Sequence, residues 1–246
     1  MIEYAYNYFQ EVINERGNIK MNLAEKYIHE LKENYLKHGG KDEWAHFEQV
    51  KQGAKDEHIA QVKEEFPLVP DSLLQLLAYA DGTYHRRYEG EKISLYFLGS
   101  DVEGYPYYLC SCEQILESKD IAKKMSHYID RDEENYEYDE DEDDDDDNED
   151  VDDDDDYDYD DEEEVDDKIT TTSESAKWLL FSECMNNGGT SKLFIDFTPS
   201  DTGKVGQIVR YLHDPDTLIV IADSFDDYLL MIMDKDYDFI NEDTMD

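Results

Sequence analysis

The chain has 246 residues, of which 66 are acidic and 22 basic, and its formal net charge is −44. That balance excludes ordinary nucleic-acid and anionic-membrane binding, which need a basic footprint, and favours a basic partner, cations or solubility alone. The excess is concentrated: 29 of the 38 residues from Asp130 to Asp167 are Asp or Glu, with Arg131 the only base, so this stretch carries −28 and the other 208 residues −16.

Those other residues hold enough Leu, Ile, Val, Phe, Tyr and Trp for a sizeable core. Cys110, Cys112 and Cys184 are odd in number and lack Cys-x-x-Cys spacing, which predicts reduced thiols in a cytoplasmic protein. Met1-Ile2-Glu3-Tyr4 opens no basic-then-apolar pattern, so a signal peptide is not expected. No apolar run reaches the ~18 residues of a membrane span.

In chain order, Met1 to about Arg16 reads as a helix with Ala5, Phe9, Val12 and Ile13 on one face. A second helix runs from Asn22, where Glu25 completes an Asn-x-x-Glu capping pattern, to Lys37, and Gly39 stops it. A short helix is expected around Trp44, Phe47 and Val50. Asp56 to Phe66 is helical, Pro67-Leu68-Val69-Pro70 breaks it, and Asp71 or Ser72 caps a leucine-rich helix that ends at Asp81-Gly82. The period then switches to two, predicting strands over Ile93–Leu98 and Tyr105–Cys110, with Pro106 marking an edge or bulge. Glu113 to about Ile129 is again helical.

Beyond the acidic stretch an antiparallel run is expected. Trp178–Phe181 and Leu193–Phe197 flank Asn186-Asn187-Gly188-Gly189, a hairpin signal. Gly206–His213 and Leu218–Ala222 follow as strands about the turn Asp214-Pro215-Asp216. Ser224 caps a closing helix with Phe225, Leu229 and Ile232 on its inner stripe, and Asp227 sits at the capping-box position. The predicted class is α+β, with five or six mainly antiparallel strands covered by helices. The predicted organisation is an N-terminal helical extension over 1–53, one domain formed by 54–129 and 168–246, and a polyacidic insert over 130–167.

The order of these pieces resembles the SUKH superfamily of Smi/Knr-type domains. The residues that carry the resemblance are Phe66 to Gly82, Trp178 to Phe181, Gly188-Gly189, the strand bearing Asp196, Gly203 with Val205-Gly206-Gln207-Ile208-Val209, Ile219 to Ala222, and Ser224-Phe225 with Tyr228-Leu229. It implies an antiparallel sheet covered by helices, with Gly188, Gly189, Asp196, Gly206, Ser224 and Phe225 as fold-defining positions and no catalytic residues. It also implies a protein partner. Many bacterial members neutralise polymorphic toxins, often nucleases, and some eukaryotic members are regulatory scaffolds.

The residues agree with a non-catalytic reading. Seven scattered histidines form no His-Glu-x-x-His or Cys/His zinc pattern, and neither Gly-x-Ser-x-Gly nor a P-loop occurs. Neither a cofactor nor a metal site is expected. Carboxylates are so abundant that pairs arise by chance. Gly188, Gly189 and Gly206 read as backbone devices. Asp196, inside an apolar strand, reads as an outward-facing residue alternating with Ile195.

The acidic stretch is the candidate partner-binding segment, through Asp143, Asp144, Asp145, Asp146, Asp147, Asp152, Asp153, Asp154, Asp155, Asp156, Tyr157 and Tyr159. Consecutive aspartates repel one another, so disorder is the expected free state. Its 38 residues extend to ~130 Å at roughly 3.4 Å per residue. That spreads its charge at roughly 4 to 5 Å per unit, against about 3.4 Å along one DNA strand. It can therefore imitate a nucleic acid before a basic toxin, while Tyr136, Tyr138, Tyr157 and Tyr159 are placed to stack where bases would. An inert solubilising loop is the alternative. A calcium loop is not supported, because Tyr157 follows Asp152, Asp154 and Asp156 where glycine is needed.

Overall fold

The computed structural model describes residues 12–13, 19–88, 90–130, 164–186, 189–241 and 244. Two short strands, β1 (Val12–Ile13) and β2 (Ile19–Lys20), pair antiparallel. The expected first helix is therefore replaced at Val12–Ile13 by extended backbone, and residues 1–11 lie outside the described residues. Four helices follow: α1 (Leu23–Lys37), α2 (Lys41–Val50), α3 (Asp56–Glu65) and α4 (Asp71–Tyr79). Asn22 and Glu25 form the reciprocal capping box, with bonds of 2.8 and 2.9 Å. Neither Asp71 nor Ser72 caps α4: Pro70 holds that position, and the Ser72 hydroxyl instead donates to Asp226.

A hairpin of β3 (Tyr84–Tyr88) and β4 (Glu91–Ser94) then forms a separate two-stranded sheet. Of the expected strand Tyr105–Cys110 only β5 (Tyr108–Leu109) joins the main sheet. The single helix expected over Glu113–Ile129 is three: α5 (Cys112–Glu117), α6 (Ile121–Lys124) and α7 (Ser126–Ile129). Ser118 ends α5 and the Ile121 N–H bonds to its carbonyl, a tight turn that re-aims the chain. Beyond the acidic stretch come β6 (Glu164–Val165), β7 (Trp178–Asn186), β8 (Gly189–Asp196), β9 (Gln207–Leu212), β10 (Thr217–Ala222) and α8 (Phe225–Asp234).

The main sheet has the order β5-β7-β8-β9-β10-β6, antiparallel throughout except for the parallel β10–β6 pair. The class is α+β. α8 packs on one face, where Phe181 meets Phe225 and Tyr228 edge-on at 5.2 and 5.5 Å. A bulge between Leu180 and Ser182 accompanies the turn of Phe181 to that face. α1 joins the same core: the Tyr27 hydroxyl donates to the Phe97 carbonyl at 2.8 Å, and that of Tyr237 to the Tyr27 carbonyl at 2.9 Å. On the other face α5 and α6 lie against β7, and the Tyr128 ring of α7 meets that of Tyr211 at 5.1 Å. This cover buries the Trp178 end of the face, with Leu180, Phe194 and Val209, and stops short of the β7–β8 hairpin.

Candidate functional site

Both ends of the acidic stretch are fixed to the folded domain. At its start, the Asp130 carboxylate accepts from the Ser173 N–H at 2.6 Å and from the Ser173 hydroxyl at 2.7 Å. At its end, Glu164 and Val165 pair in register with Thr217 and Leu218. The Asp166 N–H donates to the Leu218 carbonyl at 2.8 Å, and the Val220 N–H to the Asp166 carboxylate at 3.3 Å. Glu164 to Asp166, inside the acidic stretch, thus belong to the sheet edge.

A polar cluster braces this root. Asp216, in the β9–β10 turn, accepts from the hydroxyls of Tyr211 at 2.7 Å and Tyr128 at 2.9 Å, and faces the His213 ring at 3.1 Å. Partial burial pushes the Asp216 carboxyl up. The bonds from Tyr211, Tyr128 and His213 outweigh that and hold it below the ordinary carboxylate range. Tyr128 lies two residues before Asp130, and Thr217 pairs with Glu164, so Asp216 links the chain leaving for the acidic stretch to the strand that receives it.

Directly paired residues share a face of a sheet. The registers therefore place Tyr108, Glu183, Lys192, Tyr211, Leu218 and Val165 in one row across all six strands, from β5 to the point where the acidic stretch returns. At the β5 end Tyr84, Tyr96 and Tyr108 group together, with 4.1 Å between the Tyr84 and Tyr108 rings and 4.8 Å between Tyr96 and Tyr108. Glu183 and Lys192 form an ion pair at 4.0 Å in the row. Burial lowers the Lys192 ammonium pKa, against the opposing pull of Glu183. Single-sequence periodicity does not reveal this row, because register across five strand pairs decides it.

The candidate residues Asp143–147, Asp152–156, Tyr157 and Tyr159 lie outside the described residues, as does Gly188 with its expected turn. Asn186 pairs with Gly189, so two residues join β7 and β8. Gly189 is required by close approach: a Cβ there would stand 1.9 Å from the His213 ring. Gly206 is required by conformation, with φ +90°, and its N–H donates to the Asp196 carbonyl at 2.7 Å. Ser224 accepts from the Asp227 N–H at 3.1 Å and caps α8, while the Asp227 carboxylate accepts from the Ser224 hydroxyl rather than completing a capping box. Phe225 is fully buried.

Asp196 corrects the sequence expectation. It is buried rather than outward-facing, because its partners are buried with it. Its carboxylate accepts from the Thr198 N–H at 2.8 Å and the Gln207 amide at 3.0 Å. Trp178 lies directly across the strand pair, and its indole N–H favours the carboxylate charge without reaching full hydrogen-bond geometry. Burial is the largest influence and raises the Asp196 pKa above its ordinary value, against those bonds. This is a structural carboxyl that ties the end of β8 to the start of β9.

Cys110, Cys112 and Cys184 are buried and form no disulfide with one another, and burial pushes Cys184 up to about 11, far from a reactive thiolate. Among the described residues no group of His, Cys, Asp and Glu is placed to hold a metal, and no helix is long and apolar enough to cross a membrane. No match was found among curated proteins. The model of the SMI1 / KNR4 family (SUKH-1) matches residues 53–231, from just before α3 into α8 and across the acidic stretch. By that match over most of its length, the chain belongs to the SMI1 / KNR4 family (SUKH-1).

Proposed function

We propose that this chain is a non-catalytic immunity protein that binds and neutralises a basic, nuclease-type toxin. The folded domain supplies the specific contact, and the acidic segment speeds the encounter with the toxin. The observation that carries this reading is the double anchorage of the acidic segment, with Asp130 on Ser173 and Glu164–Val165 on β10. A tethered polyanion raises the local concentration of basic partners beside a folded surface, which a merely solubilising tail has no need to do. Family membership supports a protein partner, and inhibition by this route is steric and electrostatic, so no residue performs chemistry.

The test is co-expression with the toxic protein encoded by a neighbouring gene. Restored growth and a stable complex are expected. A regulatory scaffold of the same fold would instead capture several unrelated basic proteins and rescue cells from none, which would sink the immunity reading.

A further inference from the structure

We propose that the uncovered end of the sheet is the specific contact surface, where a folded basic protein seats an apolar side chain on a ledge of tyrosines and Met185. This rests on the binding function proposed above and adds the place of contact. The rings of Tyr84, Tyr96 and Tyr108 are packed on one another yet remain half-exposed. Beside them Met185 is 62 % exposed, on the same face as Glu183 two residues earlier. Were the stack only packing the β3–β4 hairpin against β5, its rings and its methionine neighbour would be covered. Tyrosine and methionine are enriched in protein interfaces relative to the rest of the surface.

Inside a chain of charge −44, the ledge carries a balanced ion pair rather than an acidic excess. Glu183 and Lys192 neutralise each other at its centre. A basic partner is therefore not held here by charge. Capture at the ledge and attraction by the acidic segment are separate contributions.

Geometry puts both under one partner. Five inter-strand spacings of ~4.8 Å set the β5 end of the row ~24 Å from β6. A standard interface covers ~800 Å² per partner, a disc about 30 Å across. A globular protein drawn to the segment that re-enters at β6 reaches the ledge within the same footprint. A second copy of this chain fits poorly, because two molecules of −44 repel each other.

The test places a photo-crosslinking amino acid in the full chain at Met185, at Asn148 in the acidic segment, or at Leu68 on the Pro elbow. The same basic protein, identified by mass spectrometry, is expected from Met185 and Asn148 and not from Leu68. With that protein purified, Met185→Ser and Tyr108→Ala are each expected to weaken binding at least tenfold without altering its salt dependence. Met185 is exposed, so its variant keeps the fold even if Tyr108→Ala does not. Capture from Asn148 but not Met185, binding by Met185→Ser within twofold of the parent, or crosslinking of Met185 to a second copy would overturn the ledge and leave the proposed function standing. Capture of no basic protein from any position would overturn both.

Discussion

Asp196 and Asp216 are carboxyls pushed in opposite directions by their surroundings, and each direction has a consequence for stability. Asp196 is raised because burial outweighs its bonds from Thr198 and Gln207 and the favourable nearby Trp178 indole. Its folded state therefore binds a proton more readily than the unfolded chain. The stability it contributes is fully present below the ordinary carboxylate pKa and is lost as pH rises through the higher folded value. Asp216 is the reverse: its depressed pKa contributes stability at neutral pH that disappears as pH falls through its folded value. We expect Asp196→Asn, which cannot titrate, to lose ground to the parent protein as pH is lowered from 7 towards 4. Denaturant midpoints at several pH values would show this, and a constant difference would contradict it. Asp196→Ala should cost about 1–3 kcal/mol at neutral pH, because the buried Gln207 amide and Thr198 N–H lose an acceptor.

At the scale of elements, two helix caps rest on local chemistry that is legible in the sequence, whereas the cap expected at Asp71 or Ser72 falls at Pro70. Asn22 with Glu25, and Ser224 before Phe225, cap the helices they were expected to cap. Ser224→Ala should cost about 1 kcal/mol, seen as a small drop in thermal midpoint. Gly206→Ala isolates backbone conformation, since nothing lies within 4 Å of the added Cβ and only the φ of +90° resists it. A loss of about 1–2 kcal/mol is expected in chemical denaturation, and a neutral result would mean that the turn relaxes. What the sequence did not reveal was set by tertiary context. No local signal marks β3 and β4 as a pair, and the apolar spacing of Val12–Ile13 fits a helix face although the backbone there is extended. Asp196 looked outward by alternation with Ile195, yet both faces of β8 are covered at that end, so alternation carried no information about exposure. The row from Tyr108 to Val165 depends on register across five pairs of strands, which no single segment encodes.

For the whole molecule, the governing fact is that −28 of the −44 sits on one segment tethered at both ends to one folded domain. At physiological ionic strength the Debye length is about 8 Å, so this charge acts on a partner well before contact and fades steeply as salt is added. Exchanging aspartates 143–147 and 152–156 for asparagine removes ten charges and keeps the segment's length, and it spares Asp130 and Glu164 to Asp166, which the fold uses. Association of the parent protein with a basic partner should then be faster than that of the variant by tenfold or more at low salt. The two rates should converge as salt rises, towards the ~10⁵–10⁶ M⁻¹s⁻¹ of unsteered docking. Dissociation should change far less, because the contacts that hold the complex lie on the folded surface. Stopped-flow rates between low and high salt decide the matter. Equal association rates for the two proteins at low salt would make the segment a passive loop, whereas a large rise in dissociation rate would make it part of the bound interface rather than the means of reaching it.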